Sequence, residues 1–245
     1  MGQAIEQVIA QHYAATHRIV CRIGAKSNAE QGVFTWHDWV ANKPDNPFQG
    51  IDIAIEFSRP EAVVANLLRC FEAGLPVVCG TTAWHEQLPM VQNSCEQHKG
   101  SLLYASNFSL SVNILFALNR QLASYMHRFC PDYQLQIDEI HHTQKLDAPS
   151  GTAIALAQGI MAHNPDKKSY VNQVSAQAHE IAIVSHRQAH VPGTHSIAYW
   201  SPIDSISLQH IAYSREGFAQ GAVMAAQWLQ GKKGIFTMAD VINTL

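Results

Sequence analysis

The feature of this sequence that most constrains its fold is a regular alternation of short apolar runs with amphipathic segments. The apolar runs are brief and end at glycine or polar residues, and they lie at residues 18–23, 51–57, 75–79 and 101–105. Helical patterns separate them, and one begins with Pro60 at its first position and Glu61 in its first turn. Short buried strands that alternate with helices are typical of βαβ units. This half of the chain is therefore predicted to form a parallel sheet in an α/β fold.

The second half of the sequence has a different rhythm. A long helical pattern over 111–129 precedes a strictly alternating run over 133–140, and a second helical pattern covers 150–163. Further alternating runs lie between residues 178 and 213. Alternation indicates strands with one buried face, so this half is predicted to be an α+β domain with an antiparallel or mixed sheet. An apolar helical segment rich in small residues follows within 217–245.

Composition excludes several classes of protein. The chain has 245 residues and a formal net charge of −3, without a basic cluster, which argues against a nucleic-acid partner. No run approaches 18 consecutive apolar residues, and the start lacks the pattern of a secretory signal, so neither membrane insertion nor secretion is expected. Charged residues make up only 14% of the chain, against about 25% in typical soluble domains. The low charge favours a surface that is partly covered by other subunits.

The five cysteines argue against disulfide bonds and zinc. Their number is odd and none forms a CxxC pair, so they are predicted to be buried thiols in a reducing cytoplasm; they are Cys21, Cys70, Cys79, Cys95 and Cys130. No metal site is expected.

The densest polar stretch, EIHHTQKLDAPSGTA at residues 139–153, leaves a predicted strand and enters a predicted helix. Ser150, Gly151 and Thr152 are small residues at the helix start, where free amide groups and the helix dipole favour an anion. Two histidines and Lys145 precede them. Each element alone is commonly structural, since Ser-Gly-Thr is a frequent helix cap. Their combination predicts a pocket for a carboxylate substrate that undergoes proton transfer.

This stretch resembles the signature of the 4-hydroxy-tetrahydrodipicolinate reductase (dihydrodipicolinate reductase) family. Shorter matches accompany it, namely EFSRPE at 56–61, GTT at 80–82, SNFS at 106–109, VPGT at 191–194, Ser-Arg at 214–215 and GAV at 221–223. The resemblance implies NAD(P)H-dependent reduction of 4-hydroxy-tetrahydrodipicolinate in lysine and diaminopimelate biosynthesis, with a small dicarboxylate as substrate. It implies His141 as catalytic acid/base and Lys145 as proton donor. It also implies substrate contacts from His142, Ser150, Gly151 and Thr152.

The resemblance further implies a Rossmann-like nucleotide domain over 1–110, completed by 214–245, and a substrate-binding and tetramerisation domain over 111–213. Two of the matching turns follow strand ends, where ligands bind in open α/β sheets. The residues implied in NADPH or NADH binding are Gly2, Gly80, Thr81, Thr82, Ala105, Ser106, Asn107, Phe108 and Arg215. Residues 21–26 contain no acidic side chain for a ribose hydroxyl but include Arg22 and Lys26, so NADPH is the expected cofactor.

Members of this family begin with a strand and a glycine-rich turn, and Met1–Gly2 resembles the end of that turn. The resemblance therefore implies a true start upstream of Met1, and a homotetramer in the cytoplasm. Two alternatives stay open at this point. One is a cofactor-defective, non-catalytic homologue, and the other is a two-domain NAD(P) dehydrogenase of the aspartate or homoserine type.

Overall fold

A computed structural model describes residues 1–41, 47–174 and 177–244. The chain divides into two compact units, one formed by Met1–Ser109 with Phe218–Leu245 and the other by Leu110–Gly217. In chain order the first elements are α1 (Gly2–Val8), β1 (Arg22–Ile23), β2 (Val33–Phe34), α2 (Trp36–Ala41), β3 (Ala54–Glu56), α3 (Pro60–Glu72), β4 (Val77–Cys79), α4 (Leu88–Gln97) and β5 (Ser101–Tyr104). They are followed by α5 (Leu110–Phe129), β6 (Gln134–His141), α6 (Gly151–His163), β7 (Ser169–Val171), β8 (Glu180–Arg187), β9 (Gly193–Trp200), β10 (Ser205–Ala212), α7 (Glu216–Leu229), β11 (Gly234–Phe236) and α8 (Met238–Thr244).

The first unit contains a four-stranded parallel sheet in the order β11-β5-β4-β3. Val78 and Leu103 belong to a core formed with α1, α7 and α8, whereas Val77 and Leu102 belong to a core formed with α3 and α4. Because both faces of the sheet are covered, its strands are apolar at nearly every position, which is the pattern that the sequence displayed.

The predicted strand over 18–23 is mostly wrong. Only Arg22–Ile23 pairs, in parallel with Val33–Phe34, and these two strands form a separate sheet. The first helix also departs from a regular α-helix, because Ile9–Tyr13 continues α1 in the π form. Sequence patterns missed several short elements altogether, namely β2, α2, β7, β11 and α8.

The second unit contains a mixed five-stranded sheet in the order β10-β9-β6-β8-β7. β6 is central, antiparallel to β9 and parallel to β8. One face packs on α5 and α6 through a core that includes Ile137, Leu156 and Ile183. A parallel sheet in one unit and a mixed sheet in the other confirm the predicted α/β class.

The cysteines follow the prediction only in part. None of the five forms a disulfide, and Cys70, Cys79 and Cys95 are buried, but Cys21 and Cys130 are half-exposed. Burial raises the pKa of the Cys70 thiol to about 12. None of the helices in the described ranges is long and apolar enough to cross a bilayer.

Candidate active site

The candidate active site begins where the buried face of β6 changes from apolar to polar. Side chains alternate along a strand, so Leu135, Ile137, Glu139 and His141 share one face, and all four are buried. The first two complete the hydrophobic core, whereas the last two place a carboxylate and an imidazole at the end of the strand. Strand register determines their neighbours. Glu139 lies opposite Ser185 of β8 and His195 of β9, while His141 lies opposite Arg187 of β8.

Glu139 is fully buried, and its carboxylate is surrounded by donors. The Ser150 amide donates to its two oxygens at 3.0 and 3.1 Å, and the Ser185 hydroxyl donates to Oε1 at 2.8 Å. An Arg187 guanidinium nitrogen lies 3.7 Å from Oε1. Burial alone would raise the pKa of Glu139, but the hydrogen bonds from Ser150 and Ser185 and the nearby His141 hold it below its ordinary value. The carboxylate is therefore ionised at neutral pH.

Two histidine rings flank this carboxylate. His141 Nδ1 lies 3.5 Å and His195 Nε2 lies 3.8 Å from Glu139 Oε2. The rings meet edge to face with 4.9 Å between their centroids. Gly193 lies against the other edge of the His141 ring, where a Cβ would stand 3.2 Å from Nε2. Both Nδ1 atoms are buried and have no hydrogen-bond partner within the described residues.

Both rings are held in the neutral state. Burial lowers the pKa of His141, and although Glu139 opposes this effect, the positive charges of Lys145 and Arg187 reinforce it. Burial lowers the pKa of His195 to about 4, with a further contribution from His141. A neutral His141 imidazole beside an anionic carboxylate is able to accept a proton and to return it from the imidazolium form, as general acid–base chemistry requires.

The start of α6 is tied to the same carboxylate. Ser150 is the N-cap of the helix, and its hydroxyl accepts the Ala153 amide at 3.2 Å and lies 3.1 Å from His195 Nε2. Gly151 is exposed and no atom lies within 4 Å of the position that a Cβ would occupy there. Thr152 follows and is half-buried. The first amides of the helix have no acceptor within the helix, so this start presents donors to an anion.

The loop between β6 and α6 carries Lys145, whose ammonium group donates to both carboxylate oxygens of Asp147 at 2.9 Å. The Lys145 hydrogen bond lowers the pKa of Asp147. Arg187 supports this loop from β8, because its guanidinium donates to the carbonyl oxygens of Lys145 at 3.2 Å and Asp147 at 2.6 Å. His142 is half-buried, and its Nδ1 has no hydrogen-bond partner within the parts of the chain that are described.

Glu139, His141 and His195 place three donor atoms within 4.8 Å of one another, which is a spacing that a metal ion could bridge. We assign no metal to this cluster. The Ser150 amide bonds to both oxygens of Glu139, so the carboxylate is already used within the protein.

Six site residues named from the sequence lie in the second unit, between the end of β6 and the first turn of α6, namely His141, His142, Lys145, Ser150, Gly151 and Thr152. Ser150 uses both of its polar groups within the protein, so its role in the fold is that of a helix cap. Sequence reasoning gave no role to Glu139, Ser185, Arg187 or His195. A signal for Glu139 was present, because a carboxylate at a buried position of an alternating strand needs partners.

The residues named for cofactor binding lie mainly in two loops of the first unit. The loop 80–82 follows β4 and the loop 105–108 follows β5, and since these strands are parallel neighbours, both loops lie at the same edge of the sheet. Thr82 and Ser106 are exposed, and neither hydroxyl has a hydrogen-bond partner within the described ranges. Exposed hydroxyls and backbone at the carboxyl edge of a parallel sheet fit a dinucleotide.

Other members of that set have roles within the protein. The Thr81 hydroxyl donates to the buried carboxylate of Glu56 at 2.6 Å. A Cβ at Gly80 would lie 2.1 Å from the Phe57 ring, so packing alone requires glycine there. The Phe108 side chain is buried against Phe57, with ring centroids 5.6 Å apart.

The remaining residues named for cofactor binding have different surroundings from one another. Asn107 accepts the Ser109 amide at 2.9 Å, and Ala105 is half-buried. Gly2 is exposed at the first position of α1, with open space at its Cβ position. Arg215 is exposed just before α7 and belongs to the second unit rather than the first. Of the two cations named for a 2′-phosphate, Lys26 is exposed, whereas Arg22 pairs with Glu6 at 2.9 Å.

Comparison with solved structures places this fold beside known oxidoreductases. A dipicolinate-bound dihydrodipicolinate reductase from Paenisporosarcina sp. TG-14 superimposes with a TM-score of 0.73 over 96% of this chain and 92% of that one, at 23% identity. An amine dehydrogenase from Mycobacterium smegmatis gives a TM-score of 0.60 over 98% of this chain and 92% of that chain, at 8% identity. At such identities the likeness shows the fold alone.

Sequence comparison shows the family. The 4-hydroxy-tetrahydrodipicolinate reductase of Christiangramia forsetii is 43% identical over 245 residues, which is 100% of this chain and 95% of the relative. The corresponding reductase of Methanosarcina barkeri is 34% identical over 197 residues, which is 78% of this chain and 73% of the relative. The family model "Dihydrodipicolinate reductase, N-terminus" matches residues 1–108, and "Dihydrodipicolinate reductase, C-terminus" matches residues 111–242. The chain therefore belongs to the dihydrodipicolinate reductase family.

Proposed function

We propose that this protein reduces 4-hydroxy-tetrahydrodipicolinate to tetrahydrodipicolinate with NADPH or NADH, in the route to diaminopimelate and lysine. The observation that carries the proposal is the cluster at the end of β6. There a neutral His141, a cationic Lys145 and the open start of α6 come together in a chain that is 43% identical to a reductase of this name. A small dicarboxylate requires a cation and an anion-binding helix start, and a proton transfer requires a titratable ring.

In this proposal His141 and Lys145 handle the proton. Loss of the 4-hydroxyl group as water would give a conjugated C=C/C=N system, and hydride addition to that system leaves a negative charge that one proton from a positioned donor neutralises. The Lys145 ammonium group lies beside Asp147, and two hydrogen bonds of 2.9 Å to that carboxylate orient it. His141 is neutral and next to Lys145, so it is suited to act as the acid/base partner.

The substrate carboxylates are assigned to the start of α6 and to His142. The amides of Gly151 and Thr152 would donate to one carboxylate, because they occupy the first turn of the helix. Ser150 would complete this contact, mainly by fixing the helix start through its bonds to Glu139 and Ala153. The positive charge of Lys145 compensates the negative charge of the incoming anion.

For the cofactor we assign the loops 80–82 and 105–108, together with Gly2, all in the first unit. Arg215 stays a prediction from the sequence. A bound nicotinamide would supply the hydride, because no side chain is able to deliver one. We propose NADPH as the preferred form, since Lys26 is exposed and no acidic residue lies in the segment 21–26. A Lys26→Met variant is expected to lose preference for NADPH over NADH, measured as the ratio of kcat/KM values. An unchanged ratio would contradict the assignment.

We propose a homotetramer in the cytoplasm, in which the mixed sheet provides a subunit contact. The support is the face of that sheet opposite α5 and α6, where Ile140, Trp200 and Ile211 are partly or largely exposed. Exposed apolar side chains on a sheet face are stabilised when another subunit covers them. Sedimentation of the purified protein tests this assembly, and a monomer at micromolar concentration would exclude it.

The activity is tested by following NADPH oxidation with enzymatically generated 4-hydroxy-tetrahydrodipicolinate. His141→Gln and Lys145→Met are each expected to lower kcat by about 10²–10⁴-fold, which is the usual effect of losing a proton-transfer group. His163→Gln is the matched control, because within the described residues this exposed ring bonds only to the Gly159 carbonyl of its own helix, at 3.0 Å. Absence of oxidation by the wild-type protein with both cofactors would refute the proposed function.

A further inference from the structure

We propose that Glu139 is a positioning residue that couples the acid/base ring to the anion-binding helix start. Its single buried carboxylate contacts the Nδ1 edge of His141 on one side and the Ser150 amide on the other. The inference deepens the proposed function, on which its catalytic consequences rest.

The geometry supports a shared anchor. The Ser150 amide bonds to both oxygens of Glu139, so the carboxylate fixes the point at which α6 begins. Ser185 donates to the same group from β8 at 2.8 Å. Strand register places Ser185 opposite Glu139, and Glu139 itself is 0% exposed. Rotation of the carboxylate would break these bonds together, which makes it a rigid reference for the site.

The charge of Glu139 determines how His141 carries its proton. A carboxylate 3.5 Å from Nδ1 favours the tautomer with hydrogen on Nδ1, which leaves Nε2 basic. The contact is longer than a hydrogen bond in this structure, and catalytic contacts of this type commonly shorten when substrate binds. Gly193 lies against the Nε2 edge, so the ring is held from both sides.

The other charged groups near the His141 ring either lower its pKa or raise it less than Glu139 does. Lys145 from the loop and Arg187 from β8 lower the pKa of His141, whereas Glu139 and then Asp147 raise it. His195 faces the same carboxylate from β9 and is neutral above about pH 4. Glu139 is therefore the main group that keeps His141 basic enough to accept a proton.

The test compares Glu139→Gln with Asp138→Asn. Glutamine keeps an oxygen acceptor for Ser150 and Ser185 but removes the charge. Asp138 lies next to Glu139 on the opposite face of β6 and contacts Gln136 and His186, so its amide variant is a matched control. Glu139→Asp is a second variant, which keeps the negative charge but places it farther from His141.

Three readouts separate positioning from a merely structural role. In Glu139→Gln, the limb of the kcat/KM pH profile that reports the protonation of His141 is expected to move to lower pH by about one pKa unit or more. The reason is that the negative charge that stabilises protonated His141 is lost. The dissociation constant for dipicolinate, used as a stable dicarboxylate probe, is expected to rise about tenfold. Long-range ¹H–¹⁵N spectra, assigned with His141→Asn, are expected to change from one His141 tautomer to a mixture.

An intermediate phenotype in Glu139→Asp and wild-type behaviour in Asp138→Asn would support the inference. If Glu139→Gln retains the wild-type pH limb, tautomer and dipicolinate affinity, the inference is overturned, whatever its melting temperature. Tautomer and dipicolinate affinity do not require turnover. If the wild-type protein fails to oxidise either cofactor while these two readouts still respond to Glu139→Gln, the proposed function fails and the positioning role stands.

Discussion

Protonation of His195 is expected to destabilise the folded protein, and the structure sets the size of the effect. The ring is only 5% exposed, and burial lowers its pKa to about 4 from an ordinary value of 6.5. Between these two values the unfolded chain binds a proton that the folded chain excludes, so stability is complete above about pH 6.5 and falls as the pH drops toward 4. At about 1.4 kcal/mol per pKa unit the full loss is roughly 3 kcal/mol, of which about 2 kcal/mol accrues between pH 7 and pH 5.

The assay is urea unfolding at pH 7, 6 and 5, at one protein concentration, for the wild type and His195→Gln. Glutamine retains a polar group near the Ser150 hydroxyl but does not titrate. The free energy of unfolding of the wild type is expected to fall by about 2 kcal/mol more than that of the variant between pH 7 and 5. His179→Gln, which replaces an exposed histidine, is the control and should keep the wild-type slope. Equal slopes for wild type and His195→Gln would refute the reasoning.

Three further substitutions test other parts of the structure. Ala83 has a φ of 62°, a left-handed conformation that suits glycine, so Ala83→Gly should raise the free energy of unfolding by about 1 kcal/mol; a decrease would contradict this. A Cβ at Gly221 would lie 1.7 Å from the Phe108 carbonyl oxygen, so Gly221→Ala should lower stability by about 1–3 kcal/mol in thermal unfolding, and a neutral result would be inconsistent with this packing. Arg187→Met removes support from the Lys145 loop and should raise KM more than it lowers kcat; a pure loss of kcat would argue against that role.

Much of the fold was predictable because its signals are local. The strands β4 and β5 are apolar at nearly every position, and Pro60 marks the start of α3, so both element type and order follow from the sequence. The run 18–23 shows where this reasoning fails. Its residues have strand character, but a strand exists only where a partner pairs with it, and only Arg22–Ile23 has one.

The residues of the candidate site also divide into those that the sequence predicted and those that it did not. A contiguous motif contains His141, Lys145 and Gly151, so its chemistry could be predicted from residue types and their spacing. His195 and Ser185 are distant in sequence and carry no motif that reveals their partner.

What the sequence by itself determined about this protein is its order of elements, its family and the residues that would carry the chemistry, because each depends on neighbours along the chain. Only the tertiary structure decided that the carboxylate of Glu139 lies between His141, His195 and the start of α6. The physical reason is strand register. It sets which side chains meet across β6, β8 and β9, and a buried charge is stable only where that register brings donors to it.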